Sequence, residues 1–327
     1  MDNAAPLRAA VIGVGYLGRF HAQKYAALDG VELLAVADPG ETARDAVARE
    51  TGARPVANWR ELLGQVDVVS IATPTPFHHE VARAFLANGA HVLVEKPITT
   101  TVDEARDLIA VAAAHGRLLQ VGHLERFNPA VLALDGLLTR PRFLESHRLA
   151  PFRARGTDVS VVLDLMIHDI DLVQHLVGQP IVEVSAVGTQ VFSDDLDIAN
   201  ARLTFANGCV ANVTASRVSL KMERKLRLFQ DDAYLSLDLQ QKVLTCIRKR
   251  ATAADSAALA VDAAGLPPVS IDERSFEQGD ALRLEIEAFL RSVREGLPAV
   301  VSGEDGLRAL ETATRIADLV RRGAHAA

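Results

Sequence analysis

The amino-acid sequence predicts two domains: an α/β domain with a doubly wound parallel sheet, then an α+β domain with a large open, mostly antiparallel sheet. Three observations support this fold class. The length of 327 residues fits two domains better than one. Strand and helix patterns alternate up to residue 122, and strand-like runs with short turns dominate the rest. The predicted domains are residues 1–122 and 123–327, with the C-terminal helices free to pack back on the first domain.

The first domain shows strand patterns separated by helical ones. The strand patterns are Leu7–Ile12, Val31–Ala37, Pro55–Val56, Val66–Ala72, His91–Glu95 and Leu118–Gly122. The helical patterns are Arg19–Leu28, Glu41–Thr51, Asn58–Leu63, Phe77–Asn88 and Val102–His115. Strands that alternate with helices at this spacing form βαβ units and therefore a parallel sheet.

A glycine-rich turn, Gly13–Gly18, joins the first strand to the first helix. Gly13 permits the tight turn, Gly15 lets backbone N–H groups approach a pyrophosphate, and Gly18 allows close helix–strand packing. Asp38 ends the next strand, where a carboxylate accepts hydrogen bonds from ribose hydroxyls and repels a 2′-phosphate. The pattern predicts a dinucleotide-binding (Rossmann) domain that prefers NAD. The alternative is a purely structural turn with Asp38 in a surface loop.

The second domain loses this alternation. A helix (Pro129–Leu138), a strand (Phe143–Leu149) and a long helix (Val159–Val177) come first. Six strand-like runs follow: Ile181–Val191, Ala199–Phe205, Cys209–Arg217, Lys225–Gln230, Ala233–Leu239 and Lys242–Ile247. Residues 251–279 read as a long loop or arm, and two amphipathic helices, Asp280–Arg294 and Glu304–Arg321, close the chain. Short turns between the strands predict antiparallel neighbours.

One candidate for chemistry is Glu95-Lys96-Pro97, at the end of a buried strand. Ligands of open α/β sheets collect at the carboxyl ends of the strands, so Lys96 is expected beside the cofactor crevice. A lysine there can stabilise an alkoxide by its charge. The alternative is a surface lysine paired with Glu95. Whether the bond before Pro97 is cis stays open.

A second candidate is the helical segment that carries Asp164, His168 and Asp171 at positions i, i+4 and i+7. Histidine is the usual proton shuttle near neutral pH, and a carboxylate one turn away can orient it. Two alternatives stay open: structural polar groups with internal partners, or a metal site that includes His175. We expect no metal, because no other pair with ligand spacing supports one.

Composition excludes several classes of protein. With 35 Lys+Arg and 42 Asp+Glu, the net charge is −7, which argues against a nucleic-acid binder. No apolar run reaches the length of a membrane span, and no signal peptide is visible. Cys209 and Cys246 read as free thiols of a reducing compartment. These features predict a soluble, cytoplasmic protein.

Taken together, these motifs resemble those of the glucose–fructose oxidoreductase, inositol dehydrogenase and rhizopine-catabolism superfamily (Gfo/Idh/MocA). The matching residues are Gly13–Gly18 with His21, Asp38-Pro39, Thr73-Pro74-Thr75 with His78, Glu95-Lys96-Pro97, and Asp164-x-x-x-His168-x-x-Asp171. The resemblance implies hydride exchange between NAD(P) and a sugar or cyclitol hydroxyl, in a dimer or tetramer formed through the open sheet. It implies catalytic roles for Lys96, Asp164 and His168. The positions it implies for the cofactor are the glycine turn with Tyr16 and Leu17, then Asp38, Thr73, Pro74, His78, Glu95 and Lys96.

Within this superfamily, residues 122–129 and 158–171 are most similar to those of UDP-N-acetylglucosamine 3-dehydrogenases. The similarity implies a 3-keto product, which a partner aminotransferase converts to a 3-amino sugar for lipid A. Where many members have a glycine run and a later glycine, this chain has Ser160-Val161-Val162 and Met166.

The candidate substrate contacts are Lys96, Arg126, Arg153, Arg155, Asp164 and His168. Arginines of the stretch Arg148–Arg155 offer charge to a UDP diphosphate, or else form a solvated loop. Two other functions remain: an NAD-dependent dehydrogenase of inositol or another free or nucleotide sugar, and a non-enzymatic sensor of NAD or sugar on the same fold.

Overall fold

A computed structural model describes residues 5–152, 159–249, 269–276 and 279–324. The chain divides into two compact units. The first contains residues up to Leu124 together with Asp280–Glu311, and the second contains Glu125–Gly279 and the chain from Thr312 onwards. The predicted fold class, a doubly wound parallel sheet followed by a mostly antiparallel one, is confirmed.

The first unit is built on a six-stranded parallel sheet in the order β3-β2-β1-β4-β5-β6. Its strands are β1 (Leu7–Ile12), β2 (Val31–Ala37), β3 (Arg54–Val56), β4 (Val68–Ile71), β5 (His91–Glu95) and β6 (Leu119–Gly122). Its helices before residue 124 are α1 (Tyr16–Ala26), α2 (Glu41–Thr51), α3 (His78–Ala87) and α4 (Val102–His115). Helices cover the sheet, so central strands such as β4 are buried throughout and need apolar residues at successive positions. The predicted helix at Asn58–Leu63 is only a 3₁₀ turn, Trp59–Leu62.

The second unit is built on an eight-stranded sheet in the order β14-β13-β12-β11-β7-β10-β9-β8. Its strands are β7 (Pro141–Leu149), β8 (Ile181–Thr189), β9 (Ile198–Phe205), β10 (Val210–Ser216), β11 (Glu223–Gln230), β12 (Ala233–Asp238), β13 (Val243–Lys249) and β14 (Val269–Ser275). Two helices, α5 (Pro129–Leu132) and α6 (Ile167–Val177), belong to it. All neighbouring strands are antiparallel except β7 and β10.

Two predictions for this unit were wrong in part. Residues 269–275, expected in a loop or arm, form edge strand β14, which pairs antiparallel with β13. Its side chains are almost all exposed and polar, so no apolar alternation marked it as a strand. Residues 250–268 and 277–278 lie outside the described residues. The helix predicted to reach Leu138 ends at Leu132 and continues as turns.

The last two helices are α7 (Ala281–Glu295) and α8 (Gly303–Ala324). The Asp280 side chain accepts a hydrogen bond from the Arg283 N–H and so caps the start of α7. The apolar face of α7 packs through Ile286, Phe289 and Leu290 into the core that contains Val11, Tyr25 and Leu93 of the first unit. Helix α7 is therefore part of the first unit, although it lies far along the chain from the other elements of that unit.

Candidate active site

The turn between β1 and α1 excludes every side chain at two of its glycines. A Cβ atom at Gly13 (φ +82°) would lie 2.7 Å from the Thr73 nitrogen, and one at Gly18 would lie 1.8 Å from the Gly13 oxygen. At Gly15, by contrast, no heavy atom lies within 4 Å of the added Cβ position. The turn is thus closely packed on its protein side and open at Gly15, where the unpaired N–H groups at the start of α1 are available to an anion.

Asp38 connects this turn to the end of β2. Its Oδ2 accepts a hydrogen bond from the Val14 N–H at 2.9 Å, and its Oδ1 accepts one from the Gly40 N–H at 2.8 Å. The exposed side chains of Tyr16 and Leu17 follow at the first residues of α1. The open space at Gly15, which a Cβ would fill, lies in the same turn that the Asp38 carboxylate binds. This arrangement fits a dinucleotide whose ribose hydroxyls are not phosphorylated.

The ends of β4 and β5 are joined by His78. Its Nε2 lies 2.8 Å from the carbonyl oxygen of Thr73, and its Nδ1 lies 2.9 Å from that of Pro97. Burial lowers the pKa of His78 despite these two carbonyl oxygens. His78 thus ties the Thr73-Pro74 segment to the segment that follows Lys96. The peptide bond between Lys96 and Pro97 is cis.

Glu95 faces the interior of the first unit, and the predicted alternative of a surface Glu95–Lys96 pair does not describe it. Its side chain is 12% exposed, and its Oε1 lies 2.9 Å from Nε2 of the buried His21. Its Oε2 accepts a hydrogen bond from the Lys96 backbone N–H at 3.3 Å. Burial opposes ionisation, but the His21 contact outweighs it and lowers the pKa of Glu95. The half-buried Lys96 therefore follows a fixed carboxylate.

In the second unit, Asp164 and His168 come at the start of a helix with unusual geometry. The sequence predicted one long helix from Val159, but Val162–Met166 forms a π-helical turn, which continues into α6. A π turn holds one residue more than an α turn, and such turns are frequent at functional sites. Asp164 lies within it and His168 just after it, and both are half-buried. Their spacing on the helix therefore differs from the i, i+4 geometry assumed from the sequence.

Asp171, predicted on the same face, is buried and forms an ion pair. The guanidinium of Arg126 donates from Nε to Oδ2 at 2.6 Å and from Nη2 to Oδ1 at 2.7 Å. Both side chains are at most 5% exposed. Two parallel bonds are the strong geometry for an arginine–carboxylate pair. Arg126 thus has an internal partner, and its substrate contact stays a prediction.

Arg148 is neither in a solvated loop nor available to a diphosphate, contrary to both sequence interpretations. It is buried and donates from Nε to Asp169 Oδ2 at 2.6 Å and from Nη1 to Glu125 Oε1 at 3.0 Å. Burial opposes its charge, yet the two carboxylates outweigh burial and raise the pKa of Arg148. Arg153 and Arg155 lie outside the described residues.

Sequence reasoning missed a set of buried polar side chains in the first unit. They are Tyr25, Ser70, Gln120 and Glu285, none more than 1% exposed; His21, already named in the family resemblance, is also buried. One signal was present: Glu285 lies on the apolar stripe of α7, three residues after Leu282 and four before Phe289. A carboxylate on such a stripe is rarely buried without a special environment.

Residues 5–152, 159–249, 269–276 and 279–324 also bear on metal binding and on membrane insertion. These ranges contain no group of three or more His, Cys, Asp or Glu side chains placed to hold a metal ion. No helix within them combines the length and apolar composition that a bilayer crossing requires.

Comparison with known protein families agrees with this geometry. The model of an oxidoreductase family with an NAD-binding Rossmann fold (GFO_IDH_MocA) matches residues 7–123. The model of the GFO/IDH/MocA C-terminal domain matches residues 132–236. Both units are therefore recognised independently, and NAD is the cofactor of the first.

Individual relatives cover nearly the whole chain. A UDP-N-acetylglucosamine 3-dehydrogenase of Acidithiobacillus ferrooxidans is 40% identical over 311 residues, 95% of this chain and 96% of the relative. A solved structure of that organism's enzyme GnnA has a TM-score of 0.90 at 39% identity, covering 98% of this chain and 99% of the other. A scyllo-inositol 2-dehydrogenase (NAD⁺) of Bacillus subtilis is 31% identical over 235 residues, 65% of this chain and 68% of the relative.

Proposed function

The chain belongs to the Gfo/Idh/MocA oxidoreductase family, and from that premise we propose that it oxidises the 3-hydroxyl of UDP-N-acetylglucosamine to a ketone. The observation that carries the proposal is its 40% identity, over 95% of the chain, to a dehydrogenase named for that substrate. The alignment covers 311 of the 327 residues and therefore includes most of each unit.

Three side chains are assigned to the reaction. The half-buried His168 accepts the hydroxyl proton as general base, the role that histidine most often takes in proton transfer. Lys96 stabilises the negative charge that develops on the oxygen, and Asp164 orients His168 or the sugar. When bound, NAD⁺ accepts the hydride from the carbon that carries the hydroxyl.

The first unit supplies the groups that hold the cofactor. Backbone N–H groups of the glycine turn face the pyrophosphate, and Asp38 accepts hydrogen bonds from the ribose hydroxyls. The Thr73-Pro74 segment and Lys96, tied together by His78, line the cofactor on the side of the reaction. On the substrate side, Arg126, Arg153 and Arg155 are proposed to contact the nucleotide sugar.

The proposal extends to partners. A homodimer or homotetramer formed through the eight-stranded sheet would cover the outer face of that sheet. A 3-keto sugar is the substrate that an aminotransferase needs in order to form a 3-amino sugar, and we assign that enzyme as the pathway partner in lipid A synthesis.

The test is NADH formation by the purified protein with UDP-N-acetylglucosamine. Because equilibrium disfavours the ketone, the assay includes an aminotransferase that takes 3-keto nucleotide sugars, with its amino donor. Parallel reactions contain free N-acetylglucosamine, UDP alone and scyllo-inositol. We expect NADH only with the nucleotide sugar. Absence of NADH even in the coupled assay contradicts the proposal.

The scyllo-inositol reaction tests the second candidate. The similarity to the Bacillus subtilis scyllo-inositol 2-dehydrogenase favours a cyclitol substrate, although it covers a smaller share of the chain. Turnover of scyllo-inositol without any nucleotide would transfer the proposal to that substrate class.

A further inference from the structure

One face of the parallel sheet carries polar side chains on three neighbouring strands. Ser70 of β4 is in register with Leu93 of β5, and Leu93 is in register with Gln120 of β6. Glu95 comes two residues after Leu93, and residues two apart on a strand point to the same face. Ser70, Glu95 and Gln120 therefore share a face, which helices α1 and α7 cover with Tyr25 and the apolar side of α7.

A continuous chain of hydrogen-bonding groups runs across this face. Oε1 of Glu95 lies 2.9 Å from Nε2 of His21, and Nδ1 of His21 lies 3.2 Å from the Ser70 hydroxyl. The Ser70 hydroxyl lies 3.0 Å from that of Tyr25. His21 and Tyr25 are four residues apart on α1, so one helix face supplies both. His21, Ser70 and Tyr25 are buried, and the chain ends at the partly buried Glu95 carboxylate next to Lys96.

Glu285 of α7 adds a carboxyl group to this interior. The side chain is fully buried, and neither of its oxygens has a hydrogen-bond partner in the described part of the chain. The same holds for Oε1 of Gln120, whose Nε2 donates to the main-chain oxygen of Glu285 at 3.3 Å. Glu285 and the residue that hydrogen-bonds to its main chain, Gln120, thus have three side-chain oxygens that receive no donor within the described residues.

An ionised Glu285 does not suit this position. A buried carboxylate without donors is strongly destabilised, and a neutral acid is the usual outcome. Burial, and then the charge of Glu95, raise the pKa of Glu285 well above its ordinary value. The titratable groups that interact with it are Tyr25 on α1 and Glu95 on β5, and among the described residues neither of these is a cation.

Resting on the proposed function for the role of Lys96, we propose that Glu285 is a neutral carboxylic acid in the folded protein and a positioning residue that holds Glu95 in place beside Lys96. The acid O–H supplies the donor that the Gln120 oxygen lacks, through a side-chain rotation or an internal water. Without charge on Glu285, Glu95 remains an anion that binds His21 and the Lys96 N–H. An ionised Glu285 would repel Glu95 and displace this strand end.

The protonation state is tested by infrared difference spectroscopy of the wild type against Glu285→Gln at neutral pH, in H₂O and D₂O. We expect the carbonyl band of a protonated carboxylic acid, shifted in D₂O and absent from the variant. A difference spectrum with only carboxylate bands overturns the proposal. This measurement needs no substrate, so it stands or falls separately from the proposed function.

The positioning role is tested by the pH profile of kcat. Glutamine keeps the shape and neutrality of the acid, so Glu285→Gln should keep the wild-type kcat at neutral pH. As the pH rises, the wild type should lose kcat and the variant should not, because only the wild type acquires the second carboxylate. Superimposable alkaline limbs overturn the positioning role, since a merely structural role leaves that profile unchanged.

A second variant, Glu285→Leu, removes hydrogen bonding but not neutrality. We expect it to lower kcat about tenfold with little change in the KM for NAD, because a displaced Lys96 affects the transition state more than cofactor binding. If Glu285→Leu does not fold, the comparison of the wild type with Glu285→Gln decides the question alone. A Glu285→Leu enzyme with wild-type kcat contradicts the proposal.

Discussion

The two units of this protein bury carboxyl groups in opposite ways. In the second unit, Asp169 and Asp171 are both buried, and each forms a close bond to a buried arginine. In the first unit, Glu285 is buried just as completely, but its carboxyl oxygens have no hydrogen-bond partner within the described residues. One unit keeps charges by pairing them, whereas the other accommodates a carboxyl group by keeping it neutral.

The difference shows how each unit holds the half-buried side chains that we assign to the reaction, Lys96 and His168. On α6, Asp169 and Asp171 are fixed by arginines, and this anchors a helix whose His168 is half-buried. At the end of β5, His21 and the Lys96 N–H hold the Glu95 carboxylate, and Lys96 follows it. A buried ion pair tolerates a change of pH, but the loss of one partner leaves a buried, unpaired charge. A buried neutral acid needs no ionic partner, but a change of pH that ionises it is destabilising.

The largest effect is expected at the half-buried position of α6. His168→Asn should lower kcat about 10²- to 10⁴-fold, the usual contribution of a general base, with little change in stability. Steady-state kinetics and thermal melts on the same preparation separate the two effects. His115→Asn, at the exposed end of α4, is the control and should keep full activity. A folded His168→Asn enzyme with wild-type kcat would remove His168 from the reaction.

The next largest effect is expected at Arg148, which pairs with Asp169, the residue after His168, and it concerns stability instead of activity. Arg148→Met leaves Asp169 and Glu125 without their main cation and should lower the free energy of unfolding by about 3–5 kcal/mol. Urea denaturation measures it. Arg142→Met, which breaks an exposed pair with Asp231, should change stability little. If both variants behave alike, the ion pairs of the second unit do not stabilise it as described.

A third prediction concerns acid. Asp197 is buried and accepts hydrogen bonds from the N–H groups of Val191, Phe192 and Ser193. Burial alone would raise its pKa, but the Ser193 hydroxyl and these N–H groups lower it well below its ordinary value. Its stabilisation is therefore present above about pH 4 and is lost as the pH falls through the lowered value.

Asp197→Asn should accordingly lower the free energy of unfolding by about 1.5–3 kcal/mol at neutral pH. Its stability should also fall less than that of the wild type between pH 4 and pH 2. Denaturation curves over this range measure both, with Asp231→Asn at an exposed position as the control. An equally steep acid limb in Asp197→Asn and the wild type would assign acid sensitivity to other carboxylates.

The smallest effect is expected in the hydrogen-bonded chain of His21, Ser70 and Tyr25 in the first unit. Tyr25→Phe removes the hydroxyl that bonds Ser70, but Ser70 keeps His21, so we expect a loss of about 1 kcal/mol. Chemical denaturation measures it, with Tyr234→Phe on β12 of the second unit as the control. A loss as large as that of Arg148→Met would mean that the two units do not differ in the way described.

Sequence reasoning succeeded where the residues of a feature are close along the chain. The glycine turn and Asp38 were predicted because a tight turn, a helix start and a strand end leave local signals at Gly13, Gly18 and Asp38. It failed for β14, whose exposed polar residues carry no apolar alternation. It also failed for Arg148, because the partner Asp169 is 21 residues away on a different element.

The sequence by itself determined the two fold classes, the cofactor turn, and the helix that carries Asp164 and His168. It did so because backbone requirements and apolar periodicity act between neighbouring residues. The tertiary structure alone decided which charges are paired and which are neutral. Glu285 and Gln120 are 165 residues apart, and Arg126 and Asp171 are 45 apart. The protonation and hydrogen bonding of such groups depend on burial and on a partner that is distant along the chain. Neither exists until the chain has folded.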